Sequence, residues 1–162
     1  LFLEWEIGDE TLELALDYAK QHLDTWPDSI HLDMVMDEDT IPIFSNPNSE
    51  KAKRLFLLLK LCDTINMQGL MFGDKYAKVV AELPLPENIV RLNLRYNKFT
   101  IAGLNSFMGS NLNLKTVDVS GNDITLNQVI QSPYIEKQEN LERVITNKGT
   151  WTPKMKIKKS FF

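Results

Sequence analysis

VRLNLRYNKF (residues 90–99) and KTVDVSGNDI (residues 115–124) are two versions of one pattern, and their reading decides the fold. In each, two aliphatic residues flank a polar one: Leu92 and Leu94 around Asn93, Val117 and Val119 around Asp118. An asparagine follows three residues later, Asn97 in one and Asn122 in the other. Alternation with period two marks a short strand with one buried face. The asparagine amide, with an acceptor and two donors, suits the place where the chain leaves the strand and its backbone groups lose their ladder partners. The match extends outward, since Ile89, Leu92, Leu94, Asn97 and Phe99 align with Leu114, Val117, Val119, Asn122 and Ile124 at an offset of 25 residues. Fainter copies lie on both sides at offsets of 27: Cys62, Ile65 and Met67, with Leu70 in the asparagine slot, and Leu141, Val144 and Thr146, with Gly149 in that slot.

The shared spacing, L-x-x-L-x-L-x-x-N-x-L, resembles that of leucine-rich-repeat proteins, in particular the longer, helix-bearing repeats typified by ribonuclease inhibitor. The resemblance covers residues 60–148 and implies an α/β solenoid, with a curved parallel sheet on its concave face and helices on its convex face. It also implies a non-enzymatic interaction scaffold, without naming a ligand. The residues agree with helical returns between strands. Ile101, Leu104, Phe107 and Met108 have helical spacing, as do Leu126, Val129 and Ile130, and Pro133 should end the second helix early.

The whole chain, 1–162, reads as one domain in three parts. Residues 1–59 form an irregular helix-strand-helix portion. Asp9 is placed to cap a helix bearing Leu12, Ala15, Leu16, Ala19 and Leu23, Ile30 to Met36 alternate as a strand, 37–49 reads as a loop, and Ser49 is placed to cap a helix running toward Cys62. Residues 60–148 carry the repeats. Residues 149–162 are a C-terminal cap or tail, in which Trp151, Met155, Ile157 and Phe161 are expected to cover the exposed end of the core.

Composition bounds the function. Of 162 residues, 43% are hydrophobic and 25% charged, as in globular domains, and the net charge of −4 argues against a nucleic-acid footprint, which needs excess Lys and Arg. The one cysteine, Cys62, permits no internal disulfide and no thiolate zinc cluster. The longest apolar run, residues 55–62, falls well short of the roughly 20 residues that span a bilayer and is broken by Lys60. No Asn-x-Ser/Thr acceptor occurs. These features lead to an expectation of an intracellular protein without membrane insertion. The chain opens on Leu1 rather than Met, which fits a piece of a longer protein.

Function is expected on the outward side chains of the strands. If Leu92 and Leu94 face the core, then Arg91, Asn93 and Arg95 face away, with Tyr96 at the rim. The same register exposes Thr64, Asn66 and Gln68, then Thr116, Asp118 and Ser120, then Arg143, Ile145 and Asn147. Arg and Tyr dominate binding hot spots because they combine large contact area with directional hydrogen bonds. The expected partner is a protein, and no catalytic residue, metal or cofactor is assigned.

Two rivals remain at this level. Asp37 and Asp39 after a strand resemble the opening motif of haloacid-dehalogenase-type phosphatases, which would make a magnesium-dependent hydrolase, but Ile41 departs from the family's fifth position and no later motif follows. A solvated acidic loop is the plainer reading. Alternatively, the chain is the structural terminus of a longer repeat protein. His22 and His31 have no neighbouring nucleophile, residues 69–75 lack phosphate-loop spacing, and the lysines of the C-terminal tail would attach only weakly to an acidic partner or a membrane surface, a structural cap being the plainer reading of that tail. Short leucine-rich-repeat domains serve cytoskeletal regulators, ubiquitin-ligase adaptors and effectors that intracellular bacteria secrete into the host cytosol. The abundance of Asn, Lys and Ile leans toward the last.

Overall fold

Strands form where the aliphatic alternation occurs. The computed structural model describes residues 3–5, 32–35, 42, 46–60, 62–71, 73–83, 85–110 and 113–156. Within it, β3 (Thr64–Asn66), β4 (Arg91–Asn93), β5 (Thr116–Asp118) and β6 (Arg143–Thr146) follow the four copies of the pattern. They are joined by β1 (Leu3–Trp5), β2 (Leu32–Val35) and β7 (Gly149–Trp151). The seven strands lie in one sheet in chain order. β1 to β6 are parallel, and β7 folds back antiparallel on β6. The protein is therefore a mixed α/β fold with a mostly parallel sheet.

The register places Ile65, Leu92, Val117 and Val144 in one row across β3 to β6, and each is buried. Helices supply the other side of this core. They are α1 (Glu50–Leu59), α2 (Asp74–Ala81), α3 (Ile101–Met108), α4 (Leu126–Gln131) and the four-residue α5 (Pro133–Glu136). Leu55, Ala77, Val80, Leu104, Phe107, Val129 and Ile135 join the strand row in one continuous cluster. Full burial of one such aliphatic or aromatic side chain contributes about 1.5–3 kcal/mol, so this shared row holds sheet and helices together.

Local chemistry sets the helix ends. Ser49 Oγ accepts from Ala52 N–H at 3.1 Å, as expected of a cap. Thr125 and Gln128 form a reciprocal capping box at the start of α4. That helix stops at Gln131, and Pro133 opens α5 at a position where its missing N–H does no harm. Asp74, at the head of α2, accepts from both the N–H (2.8 Å) and the hydroxyl (2.5 Å) of Thr100, tying α2 to the start of α3. Gly103 allows this approach, because a Cβ there would overlap the Asp74 carboxylate.

Between the turns, buried asparagines complete the hydrogen bonding. Asn97 Oδ1 accepts Leu70 N–H (3.0 Å), while its Nδ2 donates to the carbonyls of Met67 (2.6 Å), Arg95 (3.1 Å) and Leu94 (3.2 Å). Asn122 does the same one strand later. Its Oδ1 accepts the N–H groups of Asn97 (3.0 Å) and Phe99 (2.9 Å), and its Nδ2 donates to Leu94 (2.8 Å) and Val119 (2.9 Å). Asn97 is fully buried and Asn122 nearly so.

Several expectations change. Sequence periodicity missed β1, β7 and α2; the buried face of α2 consists of only Ala77 and Val80, too little to register as a periodic signal. At the C-terminal end, Trp151 alone of the expected cap residues is seen covering the core, 1% exposed, whereas Met155 is 38% exposed. Trp151 does this because β7 pairs it with Val144, whereas Met155 lies in a short 3₁₀ turn beyond the sheet. Ile157, Phe161, the helix expected from Asp9, His22, His31 and the 37–39 acidic stretch lie outside the described residues. Among those described, no helix is long and apolar enough to cross a membrane.

The Asn122→Ala variant should lose about 3 kcal/mol, because the buried N–H groups of Asn97 and Phe99 would lose their acceptor while the Leu94 and Val119 carbonyls each lose one of two donors. Urea denaturation should show the midpoint falling while the slope stays unchanged.

Candidate interaction face

The face of the sheet opposite the helices is assembled by register. Arg91, Thr116 and Arg143 are neighbours across β4, β5 and β6, and Asn66, Asn93, Asp118 and Ile145 form the next row. Beyond the strand ends, Gly69 N–H donates to the carbonyl of Arg95, and Tyr96 N–H to that of Ser120, so the turns stay in step.

Much of the second row works on its own turns. Asn66 Oδ1 accepts Gln68 N–H (3.0 Å), Asn93 Oδ1 accepts Arg95 N–H (3.2 Å), and Asp118 Oδ1 accepts Ser120 N–H (3.0 Å). A short side chain carrying an oxygen thus closes each strand exit on itself. Asp118 Oδ1 also accepts the Ser120 hydroxyl, and Asn93 Nδ2 donates to Gln68 Oε1 at 3.1 Å. These residues shape the face and lend it fewer free donors and acceptors than the sequence implied.

The arginines are held more loosely. Arg91 Nη1 stands 4.0 Å from Asp63 Oδ2, and Arg95 Nε stands 3.9 Å from Asp118 Oδ2, both beyond hydrogen-bond reach. Arg95 Nε is a buried donor without a hydrogen-bond acceptor among the described residues. Its guanidinium lies 5.4 Å from the centre of the Tyr96 ring, a cation–π contact. Arg143 Nε donates to Thr116 Oγ1 at 3.3 Å.

Tyr96 is the unusual member. Its φ of 56° lies in the left-handed region, which β-carbons disfavour. The residues at the same place in the turns before and after are Gly69 and Gly121, each with φ 75°, as sterics would select. Gly121 also serves as the seat of Tyr96, since a Cβ on it would overlap the tyrosine ring. Even so, Tyr96 remains 49% exposed.

The structure brings Asn66, Gln68, Arg91, Asn93, Arg95, Tyr96, Asp118, Ser120 and Arg143 to one face, as the alternation predicts. One expectation needs correction. Thr64 is 8% exposed, because its short side chain is flanked by strands on both sides, and its hydroxyl donates to Asp63. Asn147 is exposed, as the alternation expects, and it also bridges turns: its Oδ1 accepts Gly121 N–H (2.5 Å) and its Nδ2 donates to the Asn122 carbonyl (3.3 Å). Sequence reasoning missed Asp63, beside Arg91, and Gly121, beneath Tyr96. The aligned column of residues 69, 96 and 121, Gly-Tyr-Gly, carried the signal for the latter. The chain matches no protein-family model and no curated protein.

Gly121→Ala should destabilise by about 2 kcal/mol, combining left-handed strain with displacement of Tyr96. In a Tyr96→Asn background the same change should cost only about 1 kcal/mol, since the ring is gone and the glycine strain alone remains. Equal losses in the two backgrounds, measured by urea denaturation, would show that the ring does not rest on Gly121.

Proposed function

We propose that this chain is a leucine-rich-repeat module of the helix-bearing kind, that it works without catalysis, and that it binds a protein partner through the exposed face of its parallel sheet, centred on Arg95 and Tyr96. The repeat reading is supported by strands in chain order, by offsets of 25 and 27 residues between corresponding positions, and by the matching hydrogen bonds of Asn97 and Asn122. In such a solenoid the sheet lines the concave side. An intracellular setting follows from the lone cysteine and is part of the same proposal.

The single observation that carries the binding reading is the conformation of Tyr96. Holding a bulky residue in the left-handed region costs about 1–3 kcal/mol, and such outliers gather at functional sites. Folding would be served better by glycine, which adjacent turns use. A large ring is instead kept there, half exposed and beside a guanidinium, in the combination that dominates binding energetics.

The test is quantitative capture from cell lysate, comparing the unmodified chain with Arg95→Ala/Tyr96→Asn, asparagine being tolerant of left-handed backbone. The double variant should unfold within a few degrees of the parent and retain less than about a tenth of the captured partner, the loss of one hot spot or more. Equal capture by both proteins, or capture by neither, would overturn the proposal.

A further inference from the structure

Four arginines occur in the chain, against fourteen lysines, and three of them, Arg91, Arg95 and Arg143, lie on the exposed sheet face of a protein whose net charge is −4. Concentrating arginine here has a chemical meaning. The guanidinium is a planar fork of five N–H donors that matches a carboxylate in two parallel hydrogen bonds, which an ammonium cannot do. Yet these forks are almost unused internally. Among the described residues the three side chains make one hydrogen bond, from Arg143 Nε to Thr116. Asp63 and Asp118 stand at 4.0 and 3.9 Å, close enough to orient Arg91 and Arg95 by charge but too far to satisfy their donors.

We infer that the occupant of this face is an acidic segment of a protein, laid across β4 to β6 with carboxylates on Arg91, Arg95 and Arg143 and an apolar side chain against Tyr96. The inference rests on the binding reading above and specifies its partner. Charge complementarity argues for it. Arg143, an exposed residue, keeps the Nη edge of its fork open, and the Arg95 side chain, 39% exposed, makes no hydrogen bond among the described residues. Spacing argues for discrete carboxylates. Arg91 and Arg143 are two strands apart, about 10 Å at the usual interstrand distance, and Asp118 lies between them in the neighbouring row. A peptide can place acidic side chains on either side of that aspartate. A nucleic-acid backbone, with a charge at every nucleotide, would run over Asp118 and approach a chain already negative overall. The exposed ring of Tyr96 then offers a surface for an apolar side chain beside the acids, as in interface cores rimmed by charge.

The experiment is selection of a random 12-residue peptide display library on the immobilised 162-residue chain. Selected peptides should be rich in Asp and Glu and carry at least one aromatic or aliphatic residue. Their affinity, read by fluorescence anisotropy, should fall about tenfold with Arg143→Gln and with Arg91→Gln, and at least fivefold between low and physiological salt, as desolvated charge pairs and screening require. Neither substitution touches the buried core, so thermal midpoints should be unchanged. Neutral or basic peptides that are nonetheless lost with Arg95→Ala/Tyr96→Asn would overturn the acidic partner and leave the face reading standing. Peptides retained by all three variants would overturn both, as would failure to select any. Tight binding of a fluorescent 20-mer of thymidylate, abolished by Arg143→Gln, would replace the acidic protein with single-stranded nucleic acid.

Discussion

The rest of the structure depends on two buried amides. A parallel strand of three residues cannot satisfy the backbone of the turns at its end, and although the tips of those turns are exposed, the inner groups that meet Asn97 and Asn122 are buried away from water. Asn97 and Asn122 solve this by accepting N–H groups with Oδ1 and donating to carbonyls with Nδ2, each joining its own turn to the turn before it. An amide suits the task because it offers donors and an acceptor on one short planar group. With the turns joined, strand spacing and register follow, and with register fixed, the outward side chains of successive strands stand side by side.

The exposed face inherits its layout from that register, but its character comes from two departures from ideal packing. Arg91 and Arg95 face aspartates across gaps too wide for hydrogen bonds, so they are oriented without being neutralised at close range. Tyr96 occupies a left-handed position that neighbouring turns give to glycine. Both features are locally unfavourable, and both expose functional groups. Regions that bind commonly hold such strain, since the groups most useful to a partner are the ones that folding leaves unsatisfied.

Asn147 illustrates how an exposed position can also serve a neighbouring turn. By alternation it belongs with the outward residues, and from there it reaches across to Gly121 and Asn122 and extends the stitching of turns to the end of β6. A second set escaped notice altogether. Asn88 donates to the carbonyls of Leu59 and Cys62, and Asn140 donates to Asn113, at the opposite ends of the strands. Residues 88, 113 and 140 keep the offsets of 25 and 27, so the information was present in the sequence. It was hidden because asparagine in a loop is commonly just a solvated turn residue.

By itself the sequence determined the strands β3 to β6, their buried rows, the helices after Phe99 and Ile124, the break at Pro133 and, Thr64 excepted, the residues exposed on the outward face. All of these follow from periodicity and backbone sterics acting within a few residues. Tertiary structure decided what depends on how separate elements meet: that Trp151 returns antiparallel to cover the core, that Gly121 makes room for Tyr96, that Asp63 and Asp118 stop short of the arginines, and that Asn147 serves a neighbouring turn. The physical reason is range. Alternation tells which way a side chain points, whereas only the packed neighbours determine whether it meets a partner, a ring or solvent.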